Sequence, residues 1–379
     1  MKRVIGFFTD GPAFAGDALE HGAVGGAETA FIQVSRAVAR LGHEVLAVNN
    51  CPEAARHHGV DYHPFRKSLQ LLARQAFDVI VVSRFFGFFS LPLKSGLNVL
   101  WNHDTLDNPR GLRAVQDEID LCLVLSQFHR DNYLTRLPQL DDRMIVTRNG
   151  LDLDLLEQAS RGVRKKPGKL IYASRPERGL KLLLEEIWPR LSQTRDDLKL
   201  YVCGYKVPDN LMDKSLCSLY DYLTLLISKD PRIINLGSLS KKDYYRHLAE
   251  AEMMVYPCVF PEVSCLAVLE AQAAGTAVLT TDGFALSESV VQPEFKVPGK
   301  PLSRDYQRQF VDRALDMLGR AEWRDELARL ARSAVRARYS WDLVASEWMR
   351  VFDLALRAKE TRPVFVEVSA REQPQGPPM

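Results

Sequence analysis

The stretch PEVSCLAVLEAQAAG, residues 261–275, contains a clear helix pattern with two carboxylates close to its start. Ser264 is a residue type that often caps helices, Cys265–Ala274 is an apolar run of helix formers, and Gly275 can end a helix in the left-handed conformation. We therefore predict a helix that begins near Ser264. Its free N–H groups and the positive end of its dipole would face the same space as Glu262, which suits a diphosphate.

Glu270 lies in the body of this apolar helix, where a charge is costly unless it has a partner. A carboxylate at that position can accept hydrogen bonds from both hydroxyls of a ribose. The segments VYPC before the helix and AVLTTD after it are typical of buried strands. The alternative is that Glu262 is a solvated loop residue and Glu270 a surface residue of an amphipathic helix.

The length and composition indicate a soluble protein of two domains. At 379 residues the chain exceeds one ordinary core, and 46% hydrophobic with 26% charged residues is typical of globular proteins. The 50 basic and 48 acidic residues leave a net charge of +2, so no general attraction to nucleic acid is expected. Any anion site must therefore be local.

The apolar runs and the cysteines bear on the expected compartment. The first apolar run breaks at Thr9 and Asp10, too short for a signal peptide, and no run of about twenty apolar residues exists. The cysteines are far apart without C-x-x-C spacing, so they predict neither a zinc site nor a disulfide framework. We expect reduced core cysteines in a cytoplasmic enzyme. The six cysteines are Cys51, Cys122, Cys203, Cys217, Cys258 and Cys265.

Strand-like and helix-like runs alternate through residues 1–160, which predicts an N-terminal Rossmann-like domain. Between the first two strands, apolar residues from Ala27 to Leu41 recur at helical spacing. This pattern indicates a doubly wound parallel sheet covered on both faces. The predicted strands are Val4–Phe8, Glu44–Val48, Asp78–Val82, Asn98–Trp101, Leu121–Leu125 and Met144–Thr147.

The alternation begins again after the basic stretch Arg161–Lys169, so residues 168–338 are predicted to form a second Rossmann-like α/β domain. The segment 361–379 has little apolar surface to bury and is expected to be disordered. The predicted strands are Lys169–Ala173, Lys199–Val202, Arg232–Leu236, Met253–Tyr256 and Ala277–Thr280, and the predicted helices are Lys241–Ala251, Tyr306–Gly319, Arg324–Tyr339 and Trp341–Lys359.

Two doubly wound domains that face each other leave a cleft at the carboxyl ends of their strands, where ligands bind in such sheets. A long loop follows the first predicted strand and enters a helix at Gly25 and Gly26. Backbone without side chains can approach a phosphate or sugar closely there. The alternative for this glycine pair is a plain turn, because neither a G-x-G-x-x-G nor a Walker motif is present.

Two further motifs follow strands that open on this cleft. Arg175 and Arg178 stand three residues apart at a strand-to-helix turn, where two guanidiniums can hold both phosphates of a leaving nucleotide. The alternative is a pair of solvated arginines. His103 ends another strand and could reach a sugar, although a structural histidine is an equal alternative. The aromatic cluster Phe85–Phe89 could contact an acceptor or a membrane, but core packing is favoured.

Taken together, these motifs resemble the retaining glycosyltransferases of family 4, which have the GT-B fold of two Rossmann-like domains across a cleft. The resemblance spans nearly the whole chain, and its most specific element is Glu-x7-Glu, Glu262 to Glu270. The other matching positions are Gly25-Gly26-Ala27-Glu28, His103, Asn149-Gly150-Leu151-Asp152, Ser174-Arg175, Arg178-Gly179, Gly204, Gly237, Ala271 and Gly275.

The resemblance implies a role for each matching position. Glu270 would hold the ribose and Glu262 would lie against the donor sugar. Arg175 and Arg178 would bind the diphosphate. The remaining implied contacts are backbone N–H groups of Ser264, Cys265 and Leu266 on the diphosphate, Gly25 and Gly26 closing over it, His103 on the sugar, and Ser238 and Leu239 near the base.

The chain departs from the family pattern at two places. Arg178 stands where the family usually has lysine, which keeps the charge but changes the geometry. Ser264-Cys265 replaces the usual aromatic–glycine pair, so the donor pocket could have a different shape. The C-terminal helical segment, residues 339–360, looks like the family helix that crosses back onto the N-terminal domain.

The resemblance, together with these features, implies a metal-independent enzyme that transfers a hexose, with retention, from a nucleotide diphosphate sugar to a hydroxyl acceptor of unknown class. No cofactor is expected besides this donor substrate. The rival interpretations are a sugar-nucleotide epimerase or hydrolase on the same scaffold, and an inactive homologue that binds nucleotide sugars. Peripheral contact with the inner face of the membrane stays open, because Arg66–Arg74 is basic and partly amphipathic but short.

Overall fold

The computed structural model describes residues 1–22, 24–204 and 214–361. We expect residues 361–379 to be disordered. Of these, only Thr361 is described, and the others lie outside the described residues. Two parallel sheets with helices on their faces dominate the structure, which confirms the predicted α/β class.

The first half of the chain forms an eight-stranded sheet in the order β3-β4-β2-β1-β5-β6-β7-β8. Every neighbouring pair is parallel except β3 and β4, which are antiparallel. The strands are β1 (Val4–Phe8), β2 (Glu44–Asn49), β3 (Ala55–His57), β4 (Val60–Pro64), β5 (Phe77–Ser83), β6 (Ser95–Trp101), β7 (Leu121–Val124) and β8 (Met144–Val146).

The second half forms a six-stranded, all-parallel sheet in the order β11-β10-β9-β12-β13-β14. Its central strand β9 is buried along its whole length, as the continuous apolar run predicts for a strand covered on both faces. The strands are β9 (Lys169–Ala173), β10 (Lys199–Cys203), β11 (Ile233–Gly237), β12 (Met253–Tyr256), β13 (Ala277–Thr281) and β14 (Lys296–Val297).

Helices cover the faces of both sheets. A turn of π-helix, Leu183–Ile187, joins α7 to α8. None of the helices of the described residues is both long and apolar enough to cross a membrane. The helices are α1 (Ala18–His21), α2 (Gly26–Arg40), α3 (Ser68–Arg74), α4 (Arg110–Arg113), α5 (Gln127–Leu134), α6 (Leu153–Ser160), α7 (Leu180–Leu182), α8 (Trp188–Thr194), α9 (Lys214–Ser228), α10 (Lys241–Glu250), α11 (Leu266–Ala273), α12 (Leu286–Ser289), α13 (Arg304–Gly319), α14 (Ala321–Arg338) and α15 (Trp341–Thr361).

The last helix, α15, packs on the first half of the chain, against α2 and β6. The ring of Trp348 meets that of Trp101 edge-on with the centroids 4.9 Å apart, and its Nε1 donates to Thr147 Oγ1 at 2.7 Å. The chain crosses beside Leu151, whose N–H donates to the carbonyl of Tyr339 at 2.8 Å. The C-terminal helix therefore helps to fix the two sheets relative to each other.

A second tie between the two halves lies at α12. Both carboxylate oxygens of Glu288 accept hydrogen bonds from backbone N–H groups at the start of α5, those of Gln127 and Phe128, at 2.8 Å each. The ring of Phe284 packs on that of Phe128 at 5.4 Å. A carboxylate at a helix N-terminus is stabilising, so this contact favours the arrangement seen here.

Candidate functional site

A cavity of about 840 Å³ lies between the carboxyl ends of the two sheets and is lined by both halves of the chain. It brings together all of the predicted site residues except Ser238. That serine follows Gly237 on the exposed side of the turn after β11, whereas the next residue, Leu239, reaches the cavity. The predicted residues that line it are Gly25, Gly26, His103, Arg175, Arg178, Leu239, Glu262, Ser264, Cys265, Leu266 and Glu270.

The helix after Glu262 starts two residues later than predicted, so the assignment of Ser264 as its cap is wrong. The helix α11 begins at Leu266, and the capping position is Cys265. The hydroxyl oxygen of Ser264 instead accepts a hydrogen bond from Asn149 Nδ2 at 3.1 Å, which occupies the atom that a cap would use. No side chain of the described residues caps this helix start, and its first residues line the cavity.

The other end of α11 follows the prediction. Gly275 has a φ of +80°, its N–H donates to Gln272 O, and the N–H of Thr276 donates to Ala271 O, both at 2.9 Å. These two bonds form a Schellman motif, which requires the left-handed conformation that glycine adopts without strain.

The start of α2 faces the start of α11 across the cavity. A Cβ atom on Gly26 would lie 3.8 Å from Leu266 Cδ1, which shows how closely the two helix ends approach. A Cβ on Gly25 would overlap Glu28 Oε2 at 2.1 Å, because that carboxylate folds back over the helix start. The positive end of α11 therefore points into the cavity, where it can attract an anion, whereas the carboxylate of Glu28 covers the start of α2.

Arg178 and Glu262 form an ion pair at the wall of the cavity. Nη1 of Arg178 lies 3.0 Å from Oε1 and 3.1 Å from Oε2 of Glu262, and its guanidinium stacks 4.3 Å above the ring of Phe260. The hydroxyl of Tyr256 donates to the same Oε1 at 2.6 Å. Burial, reinforced by Glu262, raises the pKa of Tyr256 well above its ordinary value, so this phenol keeps its proton.

Arg175 lines the cavity beside Arg178, in the turn between β9 and α7. Its Nε lies 2.5 Å from Oε1 of Glu177, whose Oε2 accepts from the hydroxyl of Tyr220 at 3.0 Å. The turn depends on Gly179, which has a φ of +148° and where a Cβ would lie 2.4 Å from the carbonyl oxygen of Pro257. The backbone therefore fixes where both arginines project.

Glu270 is 3% exposed and has a cationic partner that sequence reasoning missed. Nζ of Lys241 lies 2.5 Å from Oε1 of Glu270, and the hydroxyl of Tyr245 donates to the same oxygen at 3.1 Å. The sequence SLSKKD carried a usable signal. Ser240 caps α10 through the N–H of Asp243, which places Lys241 at the first helical position after β11, beside the cleft.

His103 lies after β6 with its ring packed against Trp101 at 4.2 Å. Its Nε2 is buried and has no hydrogen-bond partner among the described residues. Burial, and then the charge of Arg84, lowers the pKa of His103 to about 3, so the imidazole is neutral near pH 7. A neutral ring with an unsatisfied nitrogen at a cavity wall can bind a ligand hydroxyl.

Arg84 organises the first-domain wall and was also missed by sequence reasoning. Its Nε and Nη2 bond Asp104 at 2.7 and 3.1 Å, and its Nη1 reaches Glu28 Oε1 at 3.3 Å. Arg84 has a φ of +69°, a strained value for a side chain with a Cβ. Its position directly after β5, at the carboxyl end of a parallel strand, is the signal that could have found it.

His129 supports this wall from behind. Its Nδ1 accepts the N–H of Leu125 at 3.2 Å, so its Nε2 carries the proton and donates to the carbonyl of Asp104 at 2.9 Å. Burial lowers the pKa of His129 to about 4. Among the described residues, no group of three or more His, Cys, Asp or Glu side chains is arranged to hold a metal ion.

Solved structures share this architecture over nearly the full length of the chain. A sucrose-phosphate synthase from Thermosynechococcus elongatus superposes with a TM-score of 0.74 at 15% identity, covering 94% of this chain and 100% of that one. An Anabaena protein solved with UDP-glucose gives 0.68 at 16% identity, covering 93% and 100%. The chain has the GT-B fold. At these identities the similarity concerns the fold alone.

Part of the chain is also similar in sequence to known glycosyltransferases. Residues 167–320 match the family described as "Glycosyl transferases group 1". A lipopolysaccharide 1,2-N-acetylglucosaminetransferase from Salmonella typhimurium is 28% identical over 189 residues, 47% of this chain and 46% of that protein. The GT-B chain thus spans about half the length of the curated relatives that it matches. The matched segment supplies the arginine turn, α10 and α11, the C-terminal wall of the cavity.

Proposed function

We propose that the protein is a retaining, metal-independent glycosyltransferase that transfers a hexose from a nucleotide diphosphate sugar to a hydroxyl acceptor. One observation carries the proposal. The start of α11, two guanidiniums and two buried carboxylates open into a single cavity between the sheets. That combination matches the parts of a nucleotide diphosphate sugar, namely a diphosphate, a ribose diol and a polyhydroxylated sugar.

The donor is proposed to lie along the C-terminal wall. Its diphosphate binds the N–H groups at the start of α11 together with Arg175 and Arg178. Its ribose binds Glu270, where Lys241 and Tyr245 both contact Oε1 and the other oxygen keeps lone pairs for ligand hydroxyls. The base lies near Leu239.

The donor sugar is proposed to lie between Glu262 and His103. Arg178 and Tyr256 both donate to the carboxylate of Glu262 and hold it in place, so sugar hydroxyls would meet a fixed acceptor. His103 offers its unsatisfied Nε2 from the opposite wall. The hydroxyl acceptor would then approach from the first-domain side, past Arg84 and Asp104.

In the proposed reaction the bond between the anomeric carbon and the diphosphate oxygen breaks, with an oxocarbenium-like transition state. The acceptor oxygen bonds the anomeric carbon from the face that the diphosphate leaves, which retains the configuration. The acceptor proton passes to the departing phosphate oxygen, so no side-chain base is needed. Catalysis then depends on charge stabilisation of the diphosphate and on positioning.

The comparisons support the general part of this proposal, which is glycosyl transfer from a nucleotide sugar. The relative from Salmonella typhimurium is named as a sugar transferase, and the Anabaena structure contains UDP-glucose. Donor sugar, acceptor and cytoplasmic location stay part of the proposal, as does peripheral membrane contact through the basic segment Arg66–Arg74. Within that segment Leu69 is 61% exposed on α3, two residues after exposed Lys67.

The test combines binding with product analysis. Nucleotides and nucleotide sugars are screened by thermal shift, where a ligand at a hundred times its dissociation constant adds about 2.7 kcal/mol to the unfolding free energy. The stabilising donor is then incubated with sugar, lipid and glycan acceptors in the presence of EDTA. NMR assigns the anomeric configuration of the product.

We expect that nucleotide is released only when an acceptor is present. We also expect the product to have the anomeric configuration of the donor. Free or isomerised sugar formed at the same rate without any acceptor would instead indicate a hydrolase or an epimerase. Donor binding without turnover across the acceptor panel would indicate a binding homologue. An inverted product, or activity abolished by EDTA, contradicts the retaining or metal-independent part.

A further inference from the structure

A second cavity, of about 450 Å³, lies outside the cleft, between the linker that joins the two sheets and one face of α10. The residues at this face of α10 recur at helical spacing, Lys242, Arg246 and Glu250, with Asp243 beside them. The linker contributes Arg161 to Lys166 and follows directly on α6, which packs against α10. The cavity is therefore framed by two packed helices and the segment between them.

Six cationic side chains line this basic pocket, against two carboxylates. The whole chain carries 50 basic and 48 acidic residues, so this local excess contrasts with a nearly balanced total. Like charges gathered in a concave site repel one another and focus a positive potential there. The cationic residues are Arg161, Arg164, Lys165, Lys166, Lys242 and Arg246.

Both carboxylates are already engaged by other groups. Glu250 binds Lys166 and Lys169 at 2.8 Å each, and Arg246 lies 3.8 Å away. Asp243 accepts from the hydroxyl of Ser240 at 2.7 Å as part of the cap of α10. Glu250 is therefore already shared among several cations, and the single charge of Asp243 cannot balance the remaining ones.

Three cations of the pocket have no hydrogen bond or ion pair with any described residue, namely Arg161, Arg164 and Lys242. Lys165 is different, since its ammonium donates to the carbonyl of Ala251 at 2.7 Å and to Thr276 Oγ1 at 3.3 Å, which anchors the linker to the domain. Arg161 still interacts electrostatically with Glu157, whereas the guanidinium of Arg164 and the ammonium of Lys242 have no such counter-charge among the described residues.

We propose that this basic pocket is a binding site for a phosphoryl group, carried by a small soluble anion or by a lipid headgroup. Guanidiniums donate paired hydrogen bonds to phosphate oxygens, and an ammonium adds a compact charge. A volume of about 450 Å³ accommodates a phosphorylated monosaccharide or a diphosphate. The proposal does not depend on the function proposed for the cleft.

The test uses the full chain and the charge-reversed pair R164E/K242E, whose wild-type residues have no partner that the change could disrupt. Inorganic phosphate and pyrophosphate are titrated by calorimetry at low salt. The matched control is K94E/R110E, which makes the same charge change on exposed residues of the first half, outside the basic segment Arg66–Arg74. The variant R175A reports pyrophosphate binding in the cleft, and circular dichroism confirms folding of each protein.

The pocket predicts at least a tenfold weaker anion affinity in R164E/K242E, with little change in K94E/R110E and with the pocket contribution retained in R175A. Sedimentation with phosphatidylglycerol vesicles separates the two sources. If the wild-type protein binds the vesicles and R164E/K242E does not, the phosphoryl group belongs to a lipid headgroup. If the wild-type protein binds the anions but not the vesicles, the ligand is a soluble anion. Equal weakening by both charge-reversed pairs, or no weakening of either probe by R164E/K242E, overturns the proposal.

Discussion

Lys241 at the start of α10 places its Nζ 2.5 Å from Oε1 of Glu270 on α11, and only 4% of that carboxylate side chain is exposed. The two residues are 29 positions apart, and their helices pack against each other at the cavity. The apolar helix around Glu270 therefore tolerates a charge because a neighbouring helix supplies its counter-charge.

We predict that Lys241→Met lowers the unfolding free energy by about 3 kcal/mol, because it leaves a buried carboxylate without its cation. Glu270→Gln in the same background should recover part of the loss, giving a coupling of about 1 kcal/mol or more in a double-mutant cycle. Urea denaturation measures both values. Lys242→Met is the control, since the adjacent lysine has no such partner, and its effect should stay within about 0.5 kcal/mol. Additive single effects contradict this pairing.

The second prediction concerns the arginines of the proposed diphosphate site. Arg175→Ala and Arg178→Ala should each remove about 3 kcal/mol of transition-state stabilisation, a loss of roughly 100- to 1,000-fold in kcat. Nucleotide release under saturating donor gives the rate. Arg178→Lys retains the charge near Glu262, and should fold while losing the two-oxygen contact.

Arg190→Ala is the matched control in the same domain, because its exposed ion pair with Glu186 contributes little. Its turnover should equal that of the wild type. Wild-type turnover in either cleft alanine variant would show that the guanidinium does not stabilise the leaving diphosphate.

Most strands could be predicted to within two or three residues, because buried parallel strands appear as continuous apolar runs. β1, β9 and β12 match the prediction at both ends. The missed strands have no such run. β4 is half-buried with alternating burial, β3 is a short antiparallel edge strand, and β14 has two residues.

The candidate site could be predicted where a residue lies just beyond the end of a strand, since sheet topology alone brings such positions to the cleft. His103 and Arg175 each lie two residues after their strands. The side chains that pair with these site residues could not be predicted. Lys241 meets Glu270, and Arg84 bridges Glu28 and Asp104, only because particular helices and strands lie side by side. The cap of α11 was mistaken for a similar reason, because Asn149 from the other half of the chain engages Ser264.

The third prediction concerns the turn that carries the arginines. Gly179→Ala combines a φ of +148° with a Cβ only 2.4 Å from Pro257 O, so it should lower the unfolding free energy by about 2 kcal/mol or more. Denaturant unfolding measures the loss. Gly319→Ala is the control, because no atom approaches its Cβ at the end of α13, and it should be neutral or stabilising by up to about 1 kcal/mol. A wild-type stability for Gly179→Ala contradicts the observed turn geometry.

The fourth prediction follows from the low pKa of His103, about 3, against about 6.5 for a histidine in an unfolded chain. Between these values the unfolded state binds a proton that the folded state does not, so stability is fully present above about pH 6.5 and falls as the pH drops toward 3. His103→Phe keeps an aromatic ring against Trp101 and removes this titrating group, so the unfolding free energy of the variant should fall less steeply between pH 6.5 and 4.5.

The titration of one group changes the slope of the unfolding free energy against pH by at most about 1.4 kcal/mol per pH unit. His103→Leu, which also carries no titratable group, should give the same shallower slope. An NMR titration of His103 with a midpoint near pH 6.5 would contradict the neutral, buried imidazole on which its proposed contact with the donor sugar depends.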